Sequence, residues 1–104
     1  KPAANEKLAE VVDFATENSD SNLVVTGFTD SQGSESKNVA LSAARAVAVK
    51  SYLVKQGIAA DRISTNGMGS VNPVGDNKTS AGRAANRRVE ITSTVREEKK
   101  VRVK

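Results

Sequence analysis

The sequence predicts an α/β protein, a two-layer sandwich in which a mixed β-sheet carries helices on one face. Two observations lead there. Short β-branched runs alternate with amphipathic segments early in the chain, and the order reads helix, strand, helix, strand, strand. The length of 104 residues suits one hydrophobic core and is too short for two. No internal repeat is visible. Aromatic residues make up only 3% of the chain against 38% apolar residues in all. The core is therefore built from Val, Leu, Ile and Ala, and rests on sheet–helix packing.

Each element has its own signal. From Pro2 to Asn18, Leu8, Val11, Val12 and Ala15 recur at helical spacing, with Pro2 suited to a first turn. The polar stretch Asn18 to Asn22 breaks that helix. Leu23 to Phe28 reads as a strand buried on at least one face. Thr29 to Ser34 is a loop, and a long helix runs from about Glu35 to Gln56 until Gly57 stops it. Val39, Ala43, Ala46, Val47, Val49, Leu53 and Val54 give that helix a broad apolar face. Arg62 to Met68 reads as a second strand, Ser70 to Ser80 as loop, and Thr79 to Asn86 as a short helical turn. Val89, Ile91, Ser93 and Val95 alternate with polar neighbours in a third strand over Arg88 to Val95. The chain divides into a domain over residues 1–95 and a charged tail over 96–104. Within that tail Val101 to Lys104 alternates enough to add a strand to the sheet. The abrupt start at Lys1-Pro2 reads as a fragment cut from a longer protein.

Composition narrows the chemistry. The chain has neither Cys nor His, which removes the common Cys/His zinc sites and the Ser-His-Asp and Cys-His nucleophiles. No metal site, cofactor or catalytic residue is expected, and an enzyme is the least favoured class. No apolar run approaches the ~18 residues of a membrane span. The net charge of +4 fits an anionic partner. Nucleic acid is a poor fit, because Phe14, Phe28 and Tyr52 are the only aromatic residues available for base stacking.

Two ionic residues stand out by position. Asp30 lies just past the first strand on a Gly-containing loop, and Arg45 lies about three turns into the long helix. Asn38, Ser42 and Arg45 share one stripe of that helix, flanked by Leu41. Folded back over the strand end, the stripe lines a cleft beside Asp30. A carboxylate and a guanidinium in one cleft can hold a zwitterion, the guanidinium taking the ligand carboxylate in bidentate fashion. The plainer alternative is that Asp30 caps the turn or helix and Arg45 pairs with it or with solvent. Pattern alone favours that alternative, because loop Asp residues usually serve turns. Gly67-Met68-Gly69 lacks the spacing and Lys of a phosphate loop. Arg83 and the pair Arg87-Arg88 stand between anion contacts and a solvated edge.

A longer pattern shifts the balance. Thr26-Gly27-Phe28-Thr29-Asp30-Ser31-Gln32-Gly33, Leu41-Ser42-Ala43-Ala44-Arg45-Ala46, Arg62-Ile63, Gly67-Met68-Gly69, Asn72-Pro73, Gly82-Arg83 and Asn86-Arg87-Arg88-Val89-Glu90-Ile91 occur in unbroken order. Together they resemble the OmpA-like peptidoglycan-binding domain of outer-membrane proteins, peptidoglycan-associated lipoproteins and flagellar stator subunits, over roughly residues 4 to 92. The resemblance implies non-covalent binding of diaminopimelate in the cell-wall peptide stem, with Asp30 and Arg45 on its zwitterionic head group. It also implies Asn38, Thr29, Ser31, Leu41 and Arg87 as further contacts. The implied setting is the periplasm, with the full-length protein anchored in the outer membrane upstream and tethered to the wall. A protein–protein assembly or homodimerisation module is the alternative. Family members carry a strand and a loop ahead of the first helix, and in this sequence that strand would precede Lys1. Without it the sheet is expected to have an open edge or a missing neighbour, and the pocket is expected to lack part of its rim. Phe28 stands where His or Tyr is common and is assigned to packing.

Overall fold

The computed structural model describes the backbone of residues 2–94 and 100–103 and the side chains of residues 6–94. Its elements are helix α1 (Pro2–Glu17), strand β1 (Leu23–Gly27), helix α2 (Glu35–Lys55), a 3-10 turn (Ala60–Arg62), strand β2 (Ile63–Gly67), helix α3 (Ser80–Asn86), strand β3 (Val89–Ser93) and strand β4 (Lys100–Val103). The sheet order is β2-β1-β3-β4. β1 runs parallel to β2 and antiparallel to β3, so the sheet is mixed. A parallel pair needs a long crossover, and α2 supplies it.

Register decides which residues meet the helices. Leu23 lies opposite Ile63 and Ser93, and Val25 opposite Ile91. These positions share one face, where they are buried with Leu8, Val11 and Ala15 of α1 and with Ala46 and Leu53 of α2. Burying one such aliphatic side chain is worth roughly 1.5–3 kcal/mol. The expected apolar face of α2 is narrower than its composition predicts. Val39, Val47 and Val54 are exposed, because Asn38, Ser42, Ala46 and Leu53 hold the inward line.

α2 lies unusually close to the strand ends. A Cβ on Gly67 would sit 2.5 Å from the Ala43 nitrogen, and one on Gly27 would run into the Ser42 carbonyl. Such backbone approach is open only to glycine. It holds the Ser42–Arg45 stretch directly over the C-terminal ends of β1 and β2.

Two expectations for the end of the chain meet the structure differently. The alternation in the tail does form a strand: β4 pairs antiparallel with β3 and continues the sheet where β3 would otherwise be its edge. Val95 and the charged run 96–99 lie outside the described residues. The alternation read into β3 is incomplete, since Glu90 is buried along with Val89 and Ile91. Arg88 accounts for it. Its Nε donates to Glu90 Oε2 at 2.7 Å, and its guanidinium carbon stands 3.8 Å above the Phe28 ring centroid. Phe28 is thus a packing residue, as expected. Arg88, read as a candidate solvated edge, is instead among the least exposed polar side chains, at 3%.

Candidate functional site

Three segments converge beyond the C-terminal ends of β1 and β2. The loop after β1 is tied to the loop after β2 by a bond from the Thr29 N–H to the Gly69 carbonyl, at 2.7 Å. Ser42, fully buried on α2, accepts from the Gly69 N–H and donates to the Val39 carbonyl, each at 2.9 Å. Asn38, one turn earlier, donates through Nδ2 to the carbonyls of Asp30 at 3.4 Å and Gln32 at 3.0 Å. Helix and loop are thereby fixed to each other before any ligand arrives.

Asp30 sits inside this frame with a buried side chain. Its Oδ1 accepts from the Gln32 N–H at 2.9 Å, and its Oδ2 is paired with Arg87 Nη1 at 2.5 Å. The Gln32 N–H is the largest influence holding the carboxyl below its ordinary pKa. Burial opposes it, while Arg87 and the more distant Arg83 assist. Asp30 is therefore a carboxylate at any physiological pH. Each oxygen spends one acceptor site on the protein and retains another.

Arg45 is placed differently. It stands seven residues beyond Asn38 on nearly the same line of α2, about 10 Å further along the axis. It is half-buried, and among the described residues its guanidinium has no hydrogen-bond or ion-pair partner. Of the plainer alternative, the branch in which Arg45 pairs with Asp30 is not what the fold adopts, since Arg87 takes that position, while the branch in which Arg45 meets solvent agrees with its partial exposure. The turn-capping role of Asp30 is present alongside its ion pair.

The other expected residues divide. Ser31 is exposed on the loop, and Leu41 is 47% exposed beside the Asn38–Arg45 line. Thr29 is buried, with its hydroxyl donating to the Asp30 carbonyl at 2.8 Å, so it braces the loop from within. Arg87, the residue that caps the end of α3, is brought onto Asp30 from 57 residues away in the chain. The sequence reading missed Asn86. Fully buried, it accepts from Val74 and Gly75 N–H at 2.7 Å each and donates to Gly75 O and Asn77 Oδ1. It clamps the 74–77 loop onto α3 and so sets where Arg83 and Arg87 emerge. Its sequence signals were its place ahead of two arginines and at the head of the Asn86–Ile91 stretch that carries the family resemblance. Among the described residues no group of three acidic, His or Cys side chains could hold a metal ion.

With this geometry in view, the comparisons with known proteins are direct. The sequence profile of the OmpA family matches residues 1–87. The chain belongs to the OmpA family. Among its relatives, the peptidoglycan-binding protein ArfA of Mycobacterium tuberculosis is 50% identical over 90 residues, which is 86% of this chain and 28% of that protein. Outer membrane protein A of Bordetella avium is 46% identical over 91 residues, 88% of this chain and 47% of that protein. The chain thus spans less than half the length of either. The crystal structure of the peptidoglycan-associated lipoprotein from Burkholderia pseudomallei superposes with a TM-score of 0.79 at 25% identity, covering 85% of this chain and 74% of that one. The mixed sheet with its helices is therefore the fold of the family's OmpA-like domains.

Proposed function

We propose that the cleft between Asp30 and Arg45 grips the zwitterionic head group of diaminopimelate in the peptide stem of peptidoglycan, anchoring a larger envelope protein to the wall. The observation that carries this reading is the inequality between the two residues. Asp30 is buried and held ionised, whereas Arg45 has no partner among the described residues. A guanidinium half-withdrawn from water without a counter-ion is poised for one. The ligand ammonium donates to the spare acceptor sites of Asp30, and the ligand carboxylate meets the planar fork of Arg45. Asn38 and Thr29 keep the loop in shape, while Ser31 and Leu41 contribute the exposed polar and apolar flanks. Arg87 is the second basic contact.

The family relationship and a relative named for peptidoglycan binding support the same partner. No bond is broken in this reading, and no cofactor enters it. Hydrogen bonds and ion pairs suit a tether that must release as the wall is remodelled. The reading sets the chain to work in the periplasm, with a membrane attachment elsewhere in the full-length protein. The test is a pull-down with purified peptidoglycan. Asp30→Ala and Arg45→Ala are each expected to abolish retention while circular dichroism shows an unchanged fold. Undiminished retention of both variants refutes the assignment.

A further inference from the structure

We propose that Arg83 recognises a second carboxylate of the ligand, so that the site prefers stems whose carboxylates outside the diaminopimelate head group are free over stems in which they are amidated. The inference rests on the clamp reading above and names what that clamp selects.

Geometry puts Arg83 beside the clamp. The N–H of Arg87, the residue that caps the C-terminal end of α3, bonds the Arg83 carbonyl at 3.2 Å, so the two arginines lie four residues apart at that end of the helix. Arg87 touches Asp30, and the Arg83 charge reaches that carboxylate as well. Arg83 is half-buried. Its Nη1 donates to the Asn77 carbonyl at 3.1 Å, and its other guanidinium donors have no partner among the described residues. Asn77 is itself held by Asn86 at 2.7 Å. The guanidinium is therefore oriented in advance, which lowers the entropy lost when it takes an anion.

Charge counting points the same way. Among the described residues two carboxylates, Asp30 and the Ser70-bound Glu35, stand with three guanidinium groups, those of Arg45, Arg83 and Arg87, so the cations remain in excess. A zwitterionic head group brings one ammonium and one carboxylate and leaves that excess as it was. A second carboxylate on the same ligand reduces it. Asp76 is the other acidic group next to α3, but its carboxylate accepts from the Lys78 N–H and forms no ion pair among the described residues.

The experiment titrates the intact chain with two stem tripeptides ending in diaminopimelate. One carries free carboxylates outside the head group, and the other carries carboxamides there. The free form is expected to bind roughly three- to tenfold more tightly, as for a partly exposed charge-assisted pair. Arg83→Gln should bring the two affinities together. Equal affinities in the unaltered protein, or a preference that survives Arg83→Gln, overturn the inference and leave the clamp standing. Loss of both tripeptides by the unaltered protein removes the clamp and this inference with it. Should Arg83→Gln bind neither tripeptide, Arg83→Lys carries the test: a reduced preference supports the inference and an unchanged one overturns it.

Discussion

The arginines of this domain fall into two groups that differ in how many of their donors are spoken for. At the N-terminal side of the sheet, Arg62 donates through Nε to the Ser21 carbonyl and through Nη2 to the carbonyls of Ala15 and Asn18 and the Ser21 hydroxyl. It closes the C-terminal end of α1, where carbonyls have no helical partner. Arg88 is committed in the same way, to Glu90 Oε2 and to the carbonyls of Asn86 and Asn72. Arg88 lies at the C-terminal end of β1, beside Phe28, and around Asp30 at that same end the pattern reverses. Arg83 and Arg87 each make one bond, and Arg45 makes none among the described residues. An arginine whose donors are consumed by the fold is a structural part. One held half out of water keeps donors that the fold itself does not use.

The largest effect expected from this contrast falls on Arg88. Replacing it with Met removes the Arg88 guanidinium from buried Glu90, and removing one partner of a buried pair costs about 3–5 kcal/mol. Urea unfolding at neutral pH measures it. Arg62→Ala should cost about 1–3 kcal/mol, because the carbonyls of Ala15 and Asn18 regain water only in part. Arg45→Ala should shift stability by less than about 0.5 kcal/mol while wall retention disappears. A loss of stability from Arg45→Ala as large as that from Arg62→Ala would break the comparison.

The pH dependence is smaller and has a defined sign. The Asp30 pKa is lowered in the folded state, so its contribution to stability is complete above the ordinary carboxylate range of about 4. It is lost as pH falls through the depressed value. Stability and head-group binding should therefore be flat in Asp30 between about pH 5 and 8. Below about pH 4, Asp30→Asn should lose less stability than the unaltered chain in matched urea titrations.

Much of the fold was legible because its signals are local. The spacing of Leu8, Val11 and Ala15, the β-branched run Leu23 to Val25, and Gly57 after α2 each act within a few residues of chain. Asp30 and Arg45 were legible as a strand-end loop residue and a helix-stripe residue. The contact between Asp30 and Arg87 was not, since 57 residues separate them and no local pattern spans that gap. The burial of Arg88 had a readable signal that composition obscured. Arg88 and Glu90 are two residues apart at the start of a strand, which puts them on one face with opposite charge. The exposure of Val39, Val47 and Val54 went unread because an apolar tally does not say which line of α2 faces the sheet.

The sequence by itself determined the elements, their order and the places of Asp30 on the strand-end loop and Arg45 on the helix stripe, since helix periodicity, strand alternation and turn chemistry are short-range. Only the tertiary structure decided which cation answers Asp30 and which guanidinium has no partner among the described residues. Those outcomes depend on how closely α2 approaches Gly27 and Gly67, and on where Asn86 holds α3. Both are matters of packing between segments far apart in the chain.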